Sequence, residues 1–470
     1  MISIEGQARL PDATALLNTL RQRKTTACEL VGDHLGRLNA LQPYANAAVK
    51  IYQKEALDIA AKLDASTHID LPLFGLPFSV KETFSIAHEE MTAGSLRKRP
   101  VKCESDAEMV RRLKEAGAII IARSNIPEFA MTGESTNPRF GRCNNHLDNT
   151  RVAGGSSGGE GVLVGSGSSA FGIGSDILGS IRIPAALCGT VGFKGHSSAI
   201  DGSGTWPDVT GNTNSWLGYG PLTRSVRDAL LVYNVIAKQP VRDTNDIFEQ
   251  VTTPEGFPIT YQQECILKAI NHARRCLLDN GVKSRHTEFK KIPSLFLLIP
   301  KIIIDDFYDT WISDLSSGPD GPFSTFKEFI AQLAGNGTID SGLLSWIMLE
   351  PFMKSRRPGK REKIAEQFLL AKNEYRELLG SDTVLLLPTL GLVAPKHKYF
   401  NRQSLMNPRV NGLFTSHTLG NYLDLPSIAI PAWKYCDART GLPASVSLMC
   451  LPGSEDRLFA TAKMVETALN

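Results

Sequence analysis

The sequence predicts an α/β fold, a large sheet covered by helices on both faces. Two observations carry this. Residues 105–117 have a helical pattern, with Met109, Val110 and Leu113 apolar and Gly117 as a stop, and they lead into "AIIIA", residues 118–122, an isoleucine-rich run of strand length. The order recurs late in the chain. Ile364, Phe368, Ala371, Tyr375 and Leu378 mark an amphipathic helix ending at Gly380, and "DTVLLLPT", 382–389, follows as a buried strand. Helix followed by buried strand suggests a sheet with both faces covered.

In chain order, the first 65 residues or so read as helical. Thr26 and Glu29 are spaced as a capping box, and Val31, Leu35 and Leu38 follow at helical spacing; a second helix is expected from about 51 to 63. "LPLFGLPFSV", 71–80, is too proline-rich for a helix and reads as a loop entering a strand that ends on Lys81. Residues 133–220 are rich in Gly, Ser, Asn and Thr and poor in periodicity, so irregular backbone is expected there, and irregular backbone inside a domain usually means function. From about 223 helices dominate. "LPSIAIPAW", 425–433, and "LPASVSLMC", 442–450, read as strands, and 455–469 as a closing helix. With no internal repeat and no low-complexity linker, the reading is a single domain over 1–470 with a mostly helical insertion at about 240–380.

With 51 basic against 48 acidic residues the net charge is +3, which gives no case for nucleic acid. The basic run from Lys354 to Arg361 reads as a solvated helix start. The eight cysteines are scattered with no C-x-x-C pair, which argues against a zinc site and a disulfide framework and for reduced thiols in the cytoplasm. The N-terminus shows no signal-peptide pattern, and no apolar run reaches ~18 residues, so no transmembrane segment is expected.

The densest feature is "AGGSSGGEG", 153–161, with five glycines and two serines in nine residues. Glycine loses the most backbone entropy on folding, so such a run implies a turn, a close backbone approach or a ligand. Three readings compete. Gly165, Gly167 and Ala170 have the spacing of a dinucleotide-binding turn, but Asp176 comes too soon to be the acidic partner expected ~20 residues on. Gly154-x-Ser156-x-Gly158 fits a hydrolase nucleophile elbow, but "NNHLDNTRVAGG" before it is not a hydrophobic strand. The third reading joins this loop to "GSDILGSIRIP", 174–184, which carries Ser180. A serine hydroxyl needs a base, and neither loop contains histidine. Lys81 is the remaining candidate. To serve, its pKa must fall from ~10.4 toward ~7–8, which requires burial away from water.

"GGSSGGEG" and "GSDILGSIRIPAALCGTVGFKG", with "GLPFSVKE" upstream, resemble the amidase signature family, and within it the fatty-acid amide hydrolases of the second type and their bacterial relatives. The likeness extends to "SNIPEFAMTGESTNPRFGRCNN", "GPLTRSVRDA" and "LLLPTLGLVAPKH", covering roughly residues 10–235 and 380–469. It implies the amidase-signature fold, a large mixed β-sheet with helices on both faces. It implies hydrolysis of an apolar acyl or aryl amide, fatty-acid amides included, through a Ser–cis-Ser–Lys triad and an acyl-enzyme, with no cofactor and no metal. By motif position Ser180 is then the nucleophile, Ser156 the relay on a cis peptide bond and Lys81 the base. The amides of Ile177, Leu178, Gly179 and Ser180 form the oxyanion hole, and Ser157, Asp176 and Arg182 support the loops. The expected partner is a small-molecule amide, and the expected state a monomer or homodimer.

Two departures stand out. The family has two glycines before the nucleophile, and Leu178 replaces the first; if that position needs φ > 0, leucine is strained there. Asp424 also stands where the family tends to have glycine. Leu178 leaves open a catalytically impaired amide-binding protein. A tRNA-dependent amidotransferase A-type subunit is the other alternative, although "KSRRPGKREKIAEQFLLAKNEY" lacks the Gly-Tyr-Tyr-Asp-rich segment of that relative. Ser95-x-x-Lys98 matches a penicillin-binding motif without its companions and reads as chance, and His196, Cys143 and Cys188 read as loop and packing residues.

Overall fold

A computed structural model describes residues 10–67, 69–209, 211–253, 263–287, 295, 297–357, 359–399 and 417–470. Among these, eleven strands form one mixed sheet. They are β1 (Ala48–Ile51), β2 (Pro77–Lys81), β3 (Ile119–Ser124), β4 (Phe171–Asp176), β5 (Val191–Lys194), β6 (Gly218–Thr223), β7 (Gln250–Thr252), β8 (Lys283–Arg285), β9 (Thr383–Pro388), β10 (Ser427–Cys436) and β11 (Pro443–Met449). Their order across the sheet is β1-β3-β2-β4-β6-β5-β10-β11-β9-β7-β8. The pairs β3–β2, β2–β4, β9–β7 and β7–β8 are parallel, and the remaining neighbours are antiparallel. β2, β3, β5, β6, β9 and β11 are buried at every residue, so both faces of the sheet are covered.

The helices Gly158–Gly165 and Arg182–Cys188 pack over the middle of the sheet, and Glu264–Asp279 and Glu455–Leu469 over β10 and β11. The capping box is present: the Thr26 side chain accepts from Glu29 N–H, and Glu29 returns a bond to Thr26 N–H. Residues 240–380 carry the helices Ile299–Leu315, Thr325–Leu333, Ser341–Met348 and Lys360–Leu379, but also β7 and β8, which extend the sheet at one edge. No helix among the described residues is long and apolar enough to cross a membrane. All eight cysteines are free thiols.

One expectation differs from what is found. The first 65 residues are not all helical, because Ala48–Ile51 is the edge strand β1, too short and too unevenly buried to show a period. Residues 133–220 are mostly irregular, as expected, but they also hold β4, β5, the start of β6 and two helices. The helix Gly158–Gly165 is buried at all eight positions, so it has no polar face and no amphipathic signature to read.

The core is continuous through the sheet, with a knot of aromatic rings under its centre. Phe193 of β5 lies 4.7 Å from Phe459 and 4.8 Å from Tyr233, ring centroid to centroid, and is fully buried. Phe193→Ala is expected to lower the unfolding free energy by about 3–5 kcal/mol, since it removes both the buried ring and its two partners' contacts. Chemical denaturation of the purified variant beside the wild type measures it.

Candidate active site

The site sits where parallel strands end together. β2 and β4 are parallel neighbours in the register Phe78↔Phe171, Ser79↔Gly172 and Val80↔Ile173, so their C-terminal ends reach the same edge of the sheet. Lys81 is the last residue of β2, and Ser175 and Asp176 are the last of β4. The glycine-rich loop folds over this edge, and the loop carrying Ser180 leaves from it.

Lys81 is buried, with its Nζ 2.7 Å from Ser156 Oγ, 2.9 Å from Ser175 Oγ and 3.4 Å from the Ser175 carbonyl. Burial brings its ammonium down from the ordinary 10.5 to about 7, against the opposing pull of Asp176 and Glu160. The Gly155–Ser156 peptide bond is cis. Gly155 itself tolerates no side chain, since a Cβ would stand 2.4 Å from the Thr132 carbonyl. Ser157 N–H donates to the Ser180 carbonyl at 3.1 Å and so ties the two serine loops together. Ser156, Ser175 and Ser180 all line one cavity of about 400 Å³.

The Ser180 loop is held by a buried ion pair. Arg182 Nε and one terminal nitrogen reach Asp176 Oδ2 and Oδ1 at 3.0 and 2.9 Å, with both side chains fully buried. It is not a surface pair. Burial alone would raise the Asp176 carboxyl, but the Arg182 guanidinium holds it well below the usual carboxylate range. Asp176 also accepts from the Gly179 and Ile181 amides at 2.7 and 3.1 Å. Asn421 bridges Asp176, Arg182 and the Trp216 carbonyl, and Arg182 donates to the His417 carbonyl.

Leu178 does not have the positive φ that the glycine of the family pattern suggested; within 177–180 only Gly179 does, at +100°. A Cβ on Gly179 would also meet His417 Cδ2 at 2.3 Å, so this glycine is the one the loop cannot replace. The Gly179 N–H, expected among the oxyanion donors, is already engaged by Asp176. Asp424 does have positive φ, +53°, at the position where glycine was expected, and it accepts from Ser197 N–H at 2.7 Å and pairs with Lys372 and Arg376 at 3.2 Å.

Three site residues escaped the sequence reading. Ser175, a second hydroxyl on Lys81, sat unnoticed inside the quoted "GSDILGS". Glu160 is buried beneath Lys81, accepts from Ser79 Oγ at 2.5 Å, and is raised by burial to about 8; its signal was an acid inside a block of small residues. His417 is fully buried against Gly179 and lowered by burial to about 3, so its ring is neutral; it lies far from the motifs, and nothing near it in sequence marks it. Ser95 and Lys98 are buried away from this edge, Lys98 pairing with Asp314 at 2.9 Å. Cys143 and Cys188 are packed thiols whose pKa burial pushes up.

The chain has counterparts among known proteins. The family profile described as Amidase matches residues 29–459. Fatty-acid amide hydrolase 2-A of Danio rerio is 30% identical over 98% of this chain and 91% of that protein. The A subunit of the glutamyl-tRNA(Gln) amidotransferase of Heliobacterium modesticaldum is 29% identical over 97% of this chain and 96% of that protein. A crystal structure of an amidase superposes with a TM-score of 0.81 at 25% identity, covering 98% of this chain and 100% of the other. The chain belongs to the amidase family. It is an amide hydrolase, acting on carbon–nitrogen bonds.

Two outcomes follow from the loop. Arg182→Met leaves the Asp176 carboxylate buried without its partner and is expected to cost about 3–5 kcal/mol of stability at neutral pH. The cost shrinks as the pH falls toward ~4, because a carboxyl no longer held down by arginine takes up a proton there; urea denaturation at pH 7.5 and pH 5 reads both values. Leu178→Gly relieves no backbone strain, so it should lower stability by at most about 1 kcal/mol and give no gain in turnover, measured by denaturation and by steady-state assay.

Proposed function

We propose that the protein hydrolyses carboxylic amides with an apolar acyl or aryl part, fatty-acid amides among them, through Ser180, Ser156 and Lys81. One observation carries this: the buried Lys81 amine lies 2.7 Å from Ser156 Oγ at the wall of a cavity that also contains Ser180 and is otherwise largely apolar. The cavity's far walls are Ile303, Phe307 and Trp311 from one helix and Trp346, Leu349 and Met353 from the next segment. These belong to residues 240–380, which we read as the insertion that shapes specificity. The likeness to fatty-acid amide hydrolase 2-A supports the acyl preference.

In this reading Ser180 Oγ attacks the amide carbonyl while its proton passes to Ser156 Oγ and the Ser156 proton to the neutral Lys81 amine. The tetrahedral oxyanion is met by the amides of Ile177, Leu178 and Ser180, each such donor worth on the order of 3 kcal/mol of barrier. Gly179 turns the loop while its N–H stays on Asp176. The intermediate collapses as the relay returns a proton to the leaving amine. Water then attacks the acyl-enzyme by the same relay and releases the acid. The likeness to an amidotransferase component supports a second reading, which predicts glutaminase activity and co-purifying partner subunits instead. The impaired-protein reading rested on a strained Leu178, and its φ is not positive.

Lys81 accepts a proton only when neutral. With its pKa near 7, kcat/KM for an amide should rise with pH through about 7 and level off above it. Lys81→Ala should lower kcat/KM by at least about 10²–10⁴-fold and remove the rise. A fluorophosphonate probe should label Ser180 in the wild type, mapped by peptide mass spectrometry, and not in Lys81→Ala. An unlabelled Ser180 in demonstrably folded wild-type protein would sink the reading.

A further inference from the structure

The cavity wall beside Lys81 carries a polar group that the triad does not use. Tyr219 of β6 is paired directly with Ser175 of β4, so the two side chains stand together on one face of the sheet. Ser175 is the residue whose hydroxyl contacts Lys81 Nζ. The Tyr219 ring packs edge-on against Phe84, and both Tyr219 and its partner Thr205 line the cavity.

The hydrogen bonds fix which way the phenol proton points. Thr205 Oγ1 lies 2.8 Å from the Gly202 carbonyl and 2.7 Å from Tyr219 Oη. A carbonyl oxygen can only accept, so the single Thr205 hydroxyl proton goes to Gly202. Thr205 must then accept from Tyr219. Burial pushes the phenol up to about 12, against a lowering by its hydrogen bond with Thr205 and with smaller help from Asp208 and Asp201, so it keeps its proton at any physiological pH. With that proton engaged by Thr205, what Tyr219 Oη has left is a lone pair. At Tyr219 the wall therefore offers a lone pair and no proton.

We infer that Tyr219 Oη accepts a hydrogen bond from the N–H of the scissile amide, so that the site selects primary and secondary amides over esters and N,N-disubstituted amides. This rests on the proposed hydrolysis at Ser180 and deepens it. An amide nitrogen that carries hydrogen donates to the lone pair, and does so more strongly as the leaving amine takes its proton from the relay. An ester oxygen in the same place has only lone pairs to set against another lone pair. Serine attack alone would favour the ester, because alkoxide-type leaving groups depart more readily than amines. A fixed acceptor beside the lysine shifts that balance toward the amide.

The test compares octanoyl p-nitroanilide, which has one N–H, with octanoyl p-nitrophenyl ester, which has none. Tyr219→Phe keeps the ring and removes the acceptor. It should lower kcat/KM for the anilide by about 3- to 10-fold, the scale of one neutral hydrogen bond, and leave the ester unchanged. Thr205→Val frees the phenol proton to point at the substrate. It should lower the anilide and raise the ester, and it stands on its own if Tyr219→Phe has a depressed melting temperature. Equal losses on both substrates, or no loss on the anilide in either variant, would overturn the inference while leaving Ser180 as the nucleophile. A wild type that turns over neither substrate and leaves Ser180 unlabelled by the fluorophosphonate overturns both this inference and the hydrolysis it rests on.

Discussion

An amine placed where burial makes its charge costly is the constraint on which the rest of this structure depends. Lys81 is given hydroxyls and a carbonyl as neighbours, Ser156, Ser175 and the Ser175 backbone, and among the described residues it has no ion pair. An ammonium in that setting is desolvated, and the pull of Asp176 and Glu160 offsets this only in part, so charge is disfavoured. The carboxyl of Glu160 beneath it obeys the same rule, since burial raises it to about 8. Near pH 7 the carboxyl thus keeps its proton while the lysine stands at the midpoint of its own titration. The glycines around it follow from the same demand. Water is kept out by backbone packed on backbone, as where Gly155 lies against the Thr132 carbonyl.

A few ångströms along the same sheet edge the opposite choice is made. Asp176 is as deeply buried as Lys81, yet it stays charged, because Arg182 gives it a two-pronged partner and Asn421 and two loop amides complete its shell. Burial by itself does not decide charge; the partner does. The charged pair ties the Ser180 loop together, while the lysine, without a close counter-ion among the described residues, titrates near 7. The neutral His417 ring fits between these two tasks. It fills the space above Gly179 and adds no charge beside Asp176.

Much of this was legible in the sequence where the residues concerned are local. The helix from 108 to 115 followed by β3, the capping box at Thr26 and Glu29, and β9, β10 and β11 all carry their pattern within ten or so residues. Lys81 could be reached because an apolar, proline-containing approach leads to one basic residue. What was not legible is what arises only from assembly. The eight residues of Gly158–Gly165 hide their helix because all of them are buried. Ser175 matters only because β2 and β4 end side by side, and His417 only because the C-terminal part of the chain returns over the Ser180 loop. The likeness to a family pattern also misdirected one inference. It attached the need for positive φ to the position of Leu178, whereas the backbone places it at Gly179.

That shift changes what Leu178 is for. A leucine in an unstrained conformation costs the loop nothing, so its consequence lies with the substrate. Its side chain is half-buried and lines the cavity together with Ile177 and Ile183, within two or three residues of Ser180. A glycine there would leave the approach to Ser180 open to bulky or polar groups. With leucine, whatever lies next to the scissile bond must shed its water against three aliphatic side chains, and only an apolar group does so at a gain, of about 25 cal/mol per Å² removed from water. The helix Ile299–Leu315 continues that surface away from the bond with Ile303, Phe307 and Trp311. In the proposed reading, a preference for apolar amides is therefore built in two places, at the Ser180 loop itself and in the helices beyond it. A chain altered only in those helices would still carry Leu178 and its demand.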